Sequence, residues 1–563
     1  MRRIIGIAIA IGTIAAAATI SLTGTSGADV PDRAISRSFG DLDHNRIDDA
    51  LDRRLPGLAP DARERAIVLL KGPATPEYLD SLRRDVGAFT VEATWHVLGG
   101  MTAQLTPGQI RKLAERDEVI QIEADRAIQA EMSTARRWYG VDQAVSDFGV
   151  TGDRSGAVKT FNRTDIVACI VDTGIDTAHV DLNQGQVIAW KDYVNGRATP
   201  YDDNGHGSHV AGILAGQGDG AASYRGVAYG AALVGVKALN SAGSGTTTAI
   251  INGVDFCVTN KTTYNVRIIN LSLGSSGSSD GTDALSRAVN AAADAGILPV
   301  VAAGNGGPGA STIGPPAAAA KALTVCSLPD PGEGGFFLSA FSSRGPTADG
   351  RTKPDVCAPG ERITSVKAGS GSGYTTFSGT SMATPFVAGV AALMLDADPS
   401  LTPAALKSKL MSTAQDWRST GADSETGSGR VQAYNAIKSA GGYVGTGPSV
   451  PAHYMSGAQT LGRTGAVDEW TVPVTKTTYP IALTLNVPGA TSAKDFDLYL
   501  SYWTGSAWIQ KAASETSTRQ ETITFTPTTA GTYRVTVRSY AGSGSYYLDS
   551  SYGGGAPALG SNG

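Results

Sequence analysis

Four cysteines in 563 residues are too few for a disulfide scaffold. Charged residues make up only 17% of the chain, which argues against disorder or a long coiled coil. The formal net charge is −5 and no cluster of Lys or Arg stands out, so nucleic acid is not an expected partner. Beyond residue 22, no run reads as long and apolar enough to cross a membrane. What the chain does have is glycine, 70 residues of it. Small residues also come in runs, as in loop-rich, tightly packed domains. The length predicts about two to four folded units.

Met1-Arg2-Arg3, an apolar run over 4–22 and Ser26-Gly27-Ala28 together read as a secretory signal peptide over 1–28, cleaved after Ala28. The alternative is an uncleaved anchor. The mature protein is then expected to be secreted, with no membrane contact. An acidic lead-in covers 29–65. Within it, Asp41, Asp43, Asn45, Asp49 and Asp52 occupy positions one, three, five, nine and twelve of an EF-hand-like loop over 41–52. Ile47 would offer its carbonyl at position seven. Arg46 stands where glycine is usual, and Asp52 where a bidentate glutamate is usual. The loop reads either as a calcium site or as a polar lead-in to a helix.

Over 66–130 the expected order is strand 66–71, helix 76–86, strand pair 90–105, helix 107–116 and strand 119–123, a ferredoxin-like α+β module. Residues 131–137 read as an exposed hinge. From 138 to 440 apolar strands at 166–171, 233–237, 266–269, 297–302 and 323–327 alternate with helices at 206–214, 246–257, 283–295 and 384–395. Near-continuous apolar strands are those of a buried parallel sheet. This predicts a doubly wound α/β domain over 131–440, with its site at the carboxyl ends of the strands. A Gly/Pro-rich linker follows at 441–452. Short alternating strands over 453–552 predict an all-β sandwich, and 553–563 reads as a disordered tail.

The chemistry gathers around Ser378-Gly379-Thr380-Ser381-Met382-Ala383-Thr384-Pro385. A serine at a helix start is either an N-cap or a nucleophile near the positive end of the helix dipole. Asp172 closes strand 166–171, where it could cap the next turn or serve a site. Asn204-Gly205-His206-Gly207-Ser208-His209 opens a helix with histidines at i and i+3, a spacing that a metal could use. No glutamate lies between them to act as a zinc-protease base, so His206 as a general base and His209 as a packing residue fits better. Asn305 ends strand 297–302, as a turn residue or as an amide donor to an oxyanion. Together these residues run Asp, His, Asn, Ser, and Asp…His…Ser is the chain order of one convergent triad class.

Asp172-Thr-Gly-Ile-Asp176, His206-Gly-Ser-His-Val-Ala-Gly and Gly379-Thr-Ser-Met-Ala-Thr-Pro closely resemble the three signature blocks of the subtilisin-like serine proteases, or subtilases. The resemblance covers about 138–440 and implies a secreted serine endopeptidase acting on proteins or peptides. Ser381 would be the nucleophile, His206 the base, Asp172 its orienter and Asn305 the oxyanion donor. Gly243-Ser244-Gly245 and Ser272-Leu273-Gly274 resemble the two edges that hold substrate as an added strand. Ala303, Gly304 and Gly314 resemble the wall and floor of a primary pocket that admits large apolar P1 groups. Asp181 and Asp219 stand where the family often binds structural calcium. No organic cofactor is implied.

The 66–130 module resembles the inhibitory propeptide of this family, a folding aid and intramolecular inhibitor, with autocleavage between about 130 and 136. Residues 453–552, through Asp495-Phe-Asp497-Leu-Tyr-Leu, resemble the pre-peptidase C-terminal domain of secreted bacterial proteases. A monomer is expected. Cys326 and Cys357 lie on segments expected to be neighbours, which would leave Cys169 to pair with Cys257. Buried free thiols are the alternative. An inactive binding scaffold and a transamidase or peptide ligase using the same acyl chemistry are the rival functions.

Overall fold

Glu64–Leu70 alternates buried and partly exposed residues, so this strand can cover a core with one face. It lies second to last in an antiparallel sheet with the order Thr90–Trp95, Gly100–Leu105, Glu64–Leu70, Val119–Ala124. Helix Pro76–Val86 closes one face with Leu79, Leu82 and Val86. Helix Pro107–Ala114, started by a Thr106/Gln109 capping box, adds Ile110 and Leu113. This is the expected ferredoxin-like module. In the computed structural model the described residues are 45–47, 49–95, 100–124, 132–157, 159–329, 338–487, 494–516 and 520–560. The expected signal peptide lies outside them.

Residues 131–137 read as an exposed hinge, but helix Met132–Trp138 occupies that stretch. Ala135 is fully buried and Arg136 is 5% exposed. The Arg136 guanidinium pairs with Asp142 at 2.7 Å and donates to the Gly226 carbonyl. The segment therefore belongs to the central α/β domain rather than to a linker.

The central domain is built on seven parallel strands. Their spatial order is Val356–Glu361, Leu323–Pro329, Leu298–Ala302, Val266–Leu271, Val167–Asp172, Ala232–Lys237 and Val187–Asp192. Winding reverses at the strand that ends in Asp172, and a crevice forms at such a switch point. Val167–Asp172 is buried along its whole length, as a central strand covered on both faces must be. Two disulfides tie the sheet down. Cys326–Cys357 joins directly paired residues of adjacent strands, and Cys169–Cys257 ties the central strand to helix Thr247–Thr259.

Helix Thr380–Ala397 runs through the core, with every residue from Met382 to Leu395 buried. By length and composition it would pass for a membrane span, against the expectation that no such run existed. However, 83% of it is buried inside the protein. Each fully buried Val, Leu or Phe here contributes about 1.5–3 kcal/mol. Gly389 allows the close approach: a Cβ there would stand 2.5 Å from Val227 Cβ.

The C-terminal domain is an antiparallel β-sandwich. One layer contains Asp495–Trp503, Gly531–Ala541 and Val467–Lys476, and the other contains Ile481–Asn486 and Gln520–Phe525. Strand Gly544–Gly554 passes between the layers and pairs with both. The expected disordered tail is partly strand: Ala558–Leu559 pairs with Trp470 and Thr471. Glycine content suggested disorder there, but ladder hydrogen bonds to an open edge fix it.

Candidate active site

Asp172 is fully buried at the carboxyl end of its strand. One carboxylate oxygen accepts both the Thr173 N–H and His206 Nδ1, each at 2.7 Å. His206 is the first residue of helix His206–Ala215, whose N-cap, Gly205, has φ 104°, a left-handed turn that glycine adopts without strain. Asp202 holds that turn: its carboxylate accepts from Thr173 Oγ1, Asn204 N, Gly205 N, Ser208 N and Ser208 Oγ. Burial would raise the Asp202 pKa, but these hydrogen bonds outweigh it and hold the carboxyl below its usual range. Burial would likewise push the His206 pKa down. The Asp172 charge and hydrogen bond, with Asp202 behind them, raise it above the ordinary imidazole value instead.

His209, one turn further along the same helix, is turned into the core. Its Nε2 is 3.1 Å from the carbonyls of Ile363 and Thr375, and its ring stacks on Phe377. Burial holds its pKa down at about 3. With Nε2 committed to carbonyls, His209 is a packing residue.

Ser381 is the second residue of its helix, which starts at Thr380 rather than at 384. The N-cap is Gly379, which offers no side-chain cap, so neither Thr380 nor Ser381 is the cap residue. Pro385, inside the helix, lacks the N–H that would reach the Ser381 carbonyl four residues back. Ser272 Oγ fills that gap, donating to the Ser381 carbonyl at 2.8 Å while accepting from Asn270 Nδ2 at 3.0 Å. Ser381 Oγ in turn donates to the Ser272 carbonyl at 3.1 Å.

Asn305 Oδ1 accepts the Thr380 N–H at 2.9 Å and Thr380 Oγ1 at 3.0 Å. Its acceptor end is thereby occupied, and the amide Nδ2 is left for the cleft. A Cβ on Gly379 would lie 3.4 Å from that Nδ2, so the absent side chain keeps the space open. Asp202 was not singled out in the sequence, Asn270 only as part of the edge strand that leads into Ser272, and Thr380 only as a possible helix cap. The Asp-Asp-Asn-Gly turn before His206 was the available signal for Asp202. Asn270 and Thr380 act through hydrogen bonds to Ser272 and Asn305 that no spacing announces.

A cleft of about 790 Å³ is lined by His206, Ser381, Asn305, Gly243, Ser244, Gly245, Ser272, Leu273, Gly274 and Gly304, among others. It brings together most of the expected site. Ala303 lies behind the wall, 1% exposed. Gly314 packs under Ser275, where a Cβ would come 2.2 Å from the Ser275 carbonyl oxygen.

The expected calcium pair is not assembled. Asp181 is fully buried and accepts from Gly220 N and Tyr374 OH, each at 2.9 Å. Both Asp219 oxygens face Lys159 Nζ, at 2.6 and 2.7 Å. A lysine stands where the cation would be, so these residues do not fit calcium. Of the acidic loop, Asp41 and Asp43 lie outside the described residues. Asn45 Nδ2 donates to Asp52 at 3.2 Å, and Arg46 takes φ 68° at the position where glycine is usual. Ile47 is buried in the module's core and bridges to Ile122. Among the described residues no group of three or more His, Cys, Asp or Glu converges.

Residues 163–429 match the subtilase family, and residues 466–539 match the bacterial pre-peptidase C-terminal domain. Serine protease AprX of Bacillus subtilis (strain 168) is 37% identical over 363 residues, which span 60% of this chain and 78% of that protein. Alkaline serine exoprotease A of Vibrio alginolyticus is 31% identical over 524 residues, or 88% of this chain and 91% of that one. Subtilisin E of Bacillus subtilis (strain 168) is 33% identical over 331 residues, covering 58% and 77%.

Proposed function

The chain belongs to the subtilase family of serine endopeptidases, and from that premise we propose that it is a secreted enzyme made as a zymogen, working through Ser381, His206, Asp172 and Asn305. The observation that carries the reading is the 2.7 Å bond from His206 Nδ1 to the buried Asp172, in the cleft that also holds Ser381 and Asn305. That bond fixes the tautomer, leaving Nε2 to accept a proton. Ser381 Oγ turns from the Ser272 carbonyl to His206 and attacks the scissile carbonyl as its proton passes to Nε2. The negative charge forming on the carbonyl oxygen is met by Asn305 Nδ2 and the Ser381 N–H. Collapse expels the amine, which takes the proton from His206. Water repeats the sequence on the acyl-enzyme.

Substrate lies as an extended strand between 243–245 and 272–274, and the small residues of the pocket favour a large apolar P1. The 64–124 module is the propeptide that blocks the cleft before maturation. The loop over 41–52 is a candidate structural calcium site, supported by the left-handed Arg46 and by the contact between positions five and twelve. Loss of terbium luminescence from the full chain on Asp41→Ala with Asp43→Ala would bear this out, and unchanged luminescence would end it.

The decisive experiment compares the full chain with its Ser381→Ala variant on casein and on chromogenic peptides. Wild type is expected to mature and to cleave after Phe or Leu in preference to Lys or Arg. Ser381→Ala is expected to do neither. Activity surviving in the variant removes the serine mechanism, and transfer of the acyl group to an added amine in preference to water favours the ligase alternative.

A further inference from the structure

Behind the Asn305 loop lies the segment that follows residue 337. Its backbone grips the loop on both sides of Asn305. Ser343 N donates to the Gly304 carbonyl at 2.9 Å, Gly306 N donates to Ser343 Oγ at 3.0 Å, and Gly307 N donates to the Phe341 carbonyl at 2.8 Å. Ser343 also lines the cleft. The two ends of this segment are held by one side chain from the other domain. Gln520, in the sandwich strand Gln520–Phe525, donates through Nε2 to the Leu338 carbonyl at 2.6 Å. Its Oε1 accepts from Arg344 Nη2 at 2.8 Å.

The contact is built rather than incidental. Arg344 is 1% exposed and Gln520 is 8% exposed. Arg344 also pairs with Glu425 at 3.2 Å, and Asn486, the cross-strand partner of Gln520, reaches the same Glu425 oxygen at 3.5 Å. An amide carries a donor and an acceptor on one planar group, so Gln520 can donate to a carbonyl and accept from a guanidinium at once.

We propose that the C-terminal sandwich braces the oxyanion loop, and that Gln520 is a positioning residue for Asn305. The inference rests on the reading of Asn305 as oxyanion donor. The auxiliary domain thereby becomes part of the working enzyme. An oxyanion donor must be held within a few tenths of an ångström to be effective, and a bracket at 338 and 344 fixes the backing of its loop.

The test is a double-mutant cycle on the matured full chain, using Gln520→Met and Asn305→Ala. Gln520→Met keeps length and volume but loses both hydrogen bonds. It is expected to lower kcat about tenfold, with KM changed by less than about twofold. Asn305→Ala alone is expected to lower kcat about 100- to 1,000-fold. In the Asn305→Ala background Gln520→Met should have no further effect, because the group it positions is gone. The same fractional loss in both backgrounds, or no loss at all, overturns the proposal while leaving the oxyanion reading intact. An Asn305→Ala enzyme with full turnover removes that reading instead. If Gln520→Met does not fold, Arg344→Lys is used in the same cycle, since lysine keeps a charge for Glu425 but cannot reach both partners. A matured enzyme that has shed the sandwich and keeps full turnover also overturns the proposal.

Discussion

Asp172 grips His206 by a single short bond, so the proton affinity of the base follows the state of one buried carboxylate. The neutral imidazole is the working form. A pKa raised above the ordinary 6.5 or so moves the acid limb of kcat/KM to higher pH. We expect that limb to have its midpoint above about 6.5 and to shift down in Asp172→Asn, with turnover about 10⁴-fold lower. A pH–rate profile of the two enzymes on one peptide checks both, and an unshifted limb would detach His206 from the titration. The four proposed catalytic residues were legible because each ends a strand or opens a helix inside a long, specific motif. The supporting roles of Thr380 and Ser272 were not. Their contribution lies in which hydrogen bond each oxygen makes, and that depends on a turn 75 or 109 residues away.

Helix His206–Ala215 sits against the Asp172 turn with almost no clearance. A Cβ on Gly207 would lie 2.2 Å from the Gly174 carbonyl oxygen and 3.1 Å from Asp172 Cβ. Gly207→Ala should push the helix start away from Asp172 and cost about 100-fold in kcat/KM, since small misplacements have that effect. Normal activity in a folded Gly207→Ala enzyme would refute it. The Cys169–Cys257 bond closes 88 residues and anchors the central strand. Replacing both cysteines by alanine should lower unfolding free energy by about 2–4 kcal/mol, read from denaturant curves. Element types were largely legible from periodicity, but their ends were not. The serine helix was expected to begin at 384. It begins at Thr380 because Ser272 replaces the missing donor, a compensation supplied from another strand. The expected calcium pair is also met by groups far off in sequence, Lys159 on Asp219 and Tyr374 on Asp181.

The sandwich meets the peptidase through polar groups withdrawn from water. His453 stacks flat on Trp417 at 3.5 Å, and Asp549 lies beside it, 1% exposed. Burial pushes the Asp549 carboxyl up to about 7, against the pull of Arg418 and with the push of Asp423 and Glu425. The unfolded carboxyl titrates near 3.9. Between about pH 4 and 7 the folded chain therefore holds a proton that the unfolded chain has lost, so stability falls across that window and is lowest above about 7. Asp549→Asn should be neutral near pH 4 and stabilising by about 1–3 kcal/mol near pH 8, checked by urea midpoints at both. The existence of the two domains was readable from composition and alternation, but their docking was not, because it joins groups such as Trp417 and His453, Glu425 and Asn486, or Leu338 and Gln520, whose pairing no local pattern records. Arg136 brings a last consequence at this scale. It is tied to Asp142 and to the Gly226 carbonyl under the catalytic sheet. If the amino-terminal module is removed as proposed, the new front end is moored at Arg136, with no slack for a trimming aminopeptidase to draw on. Amino-terminal sequencing of aged enzyme should then find erosion halted before Ala135.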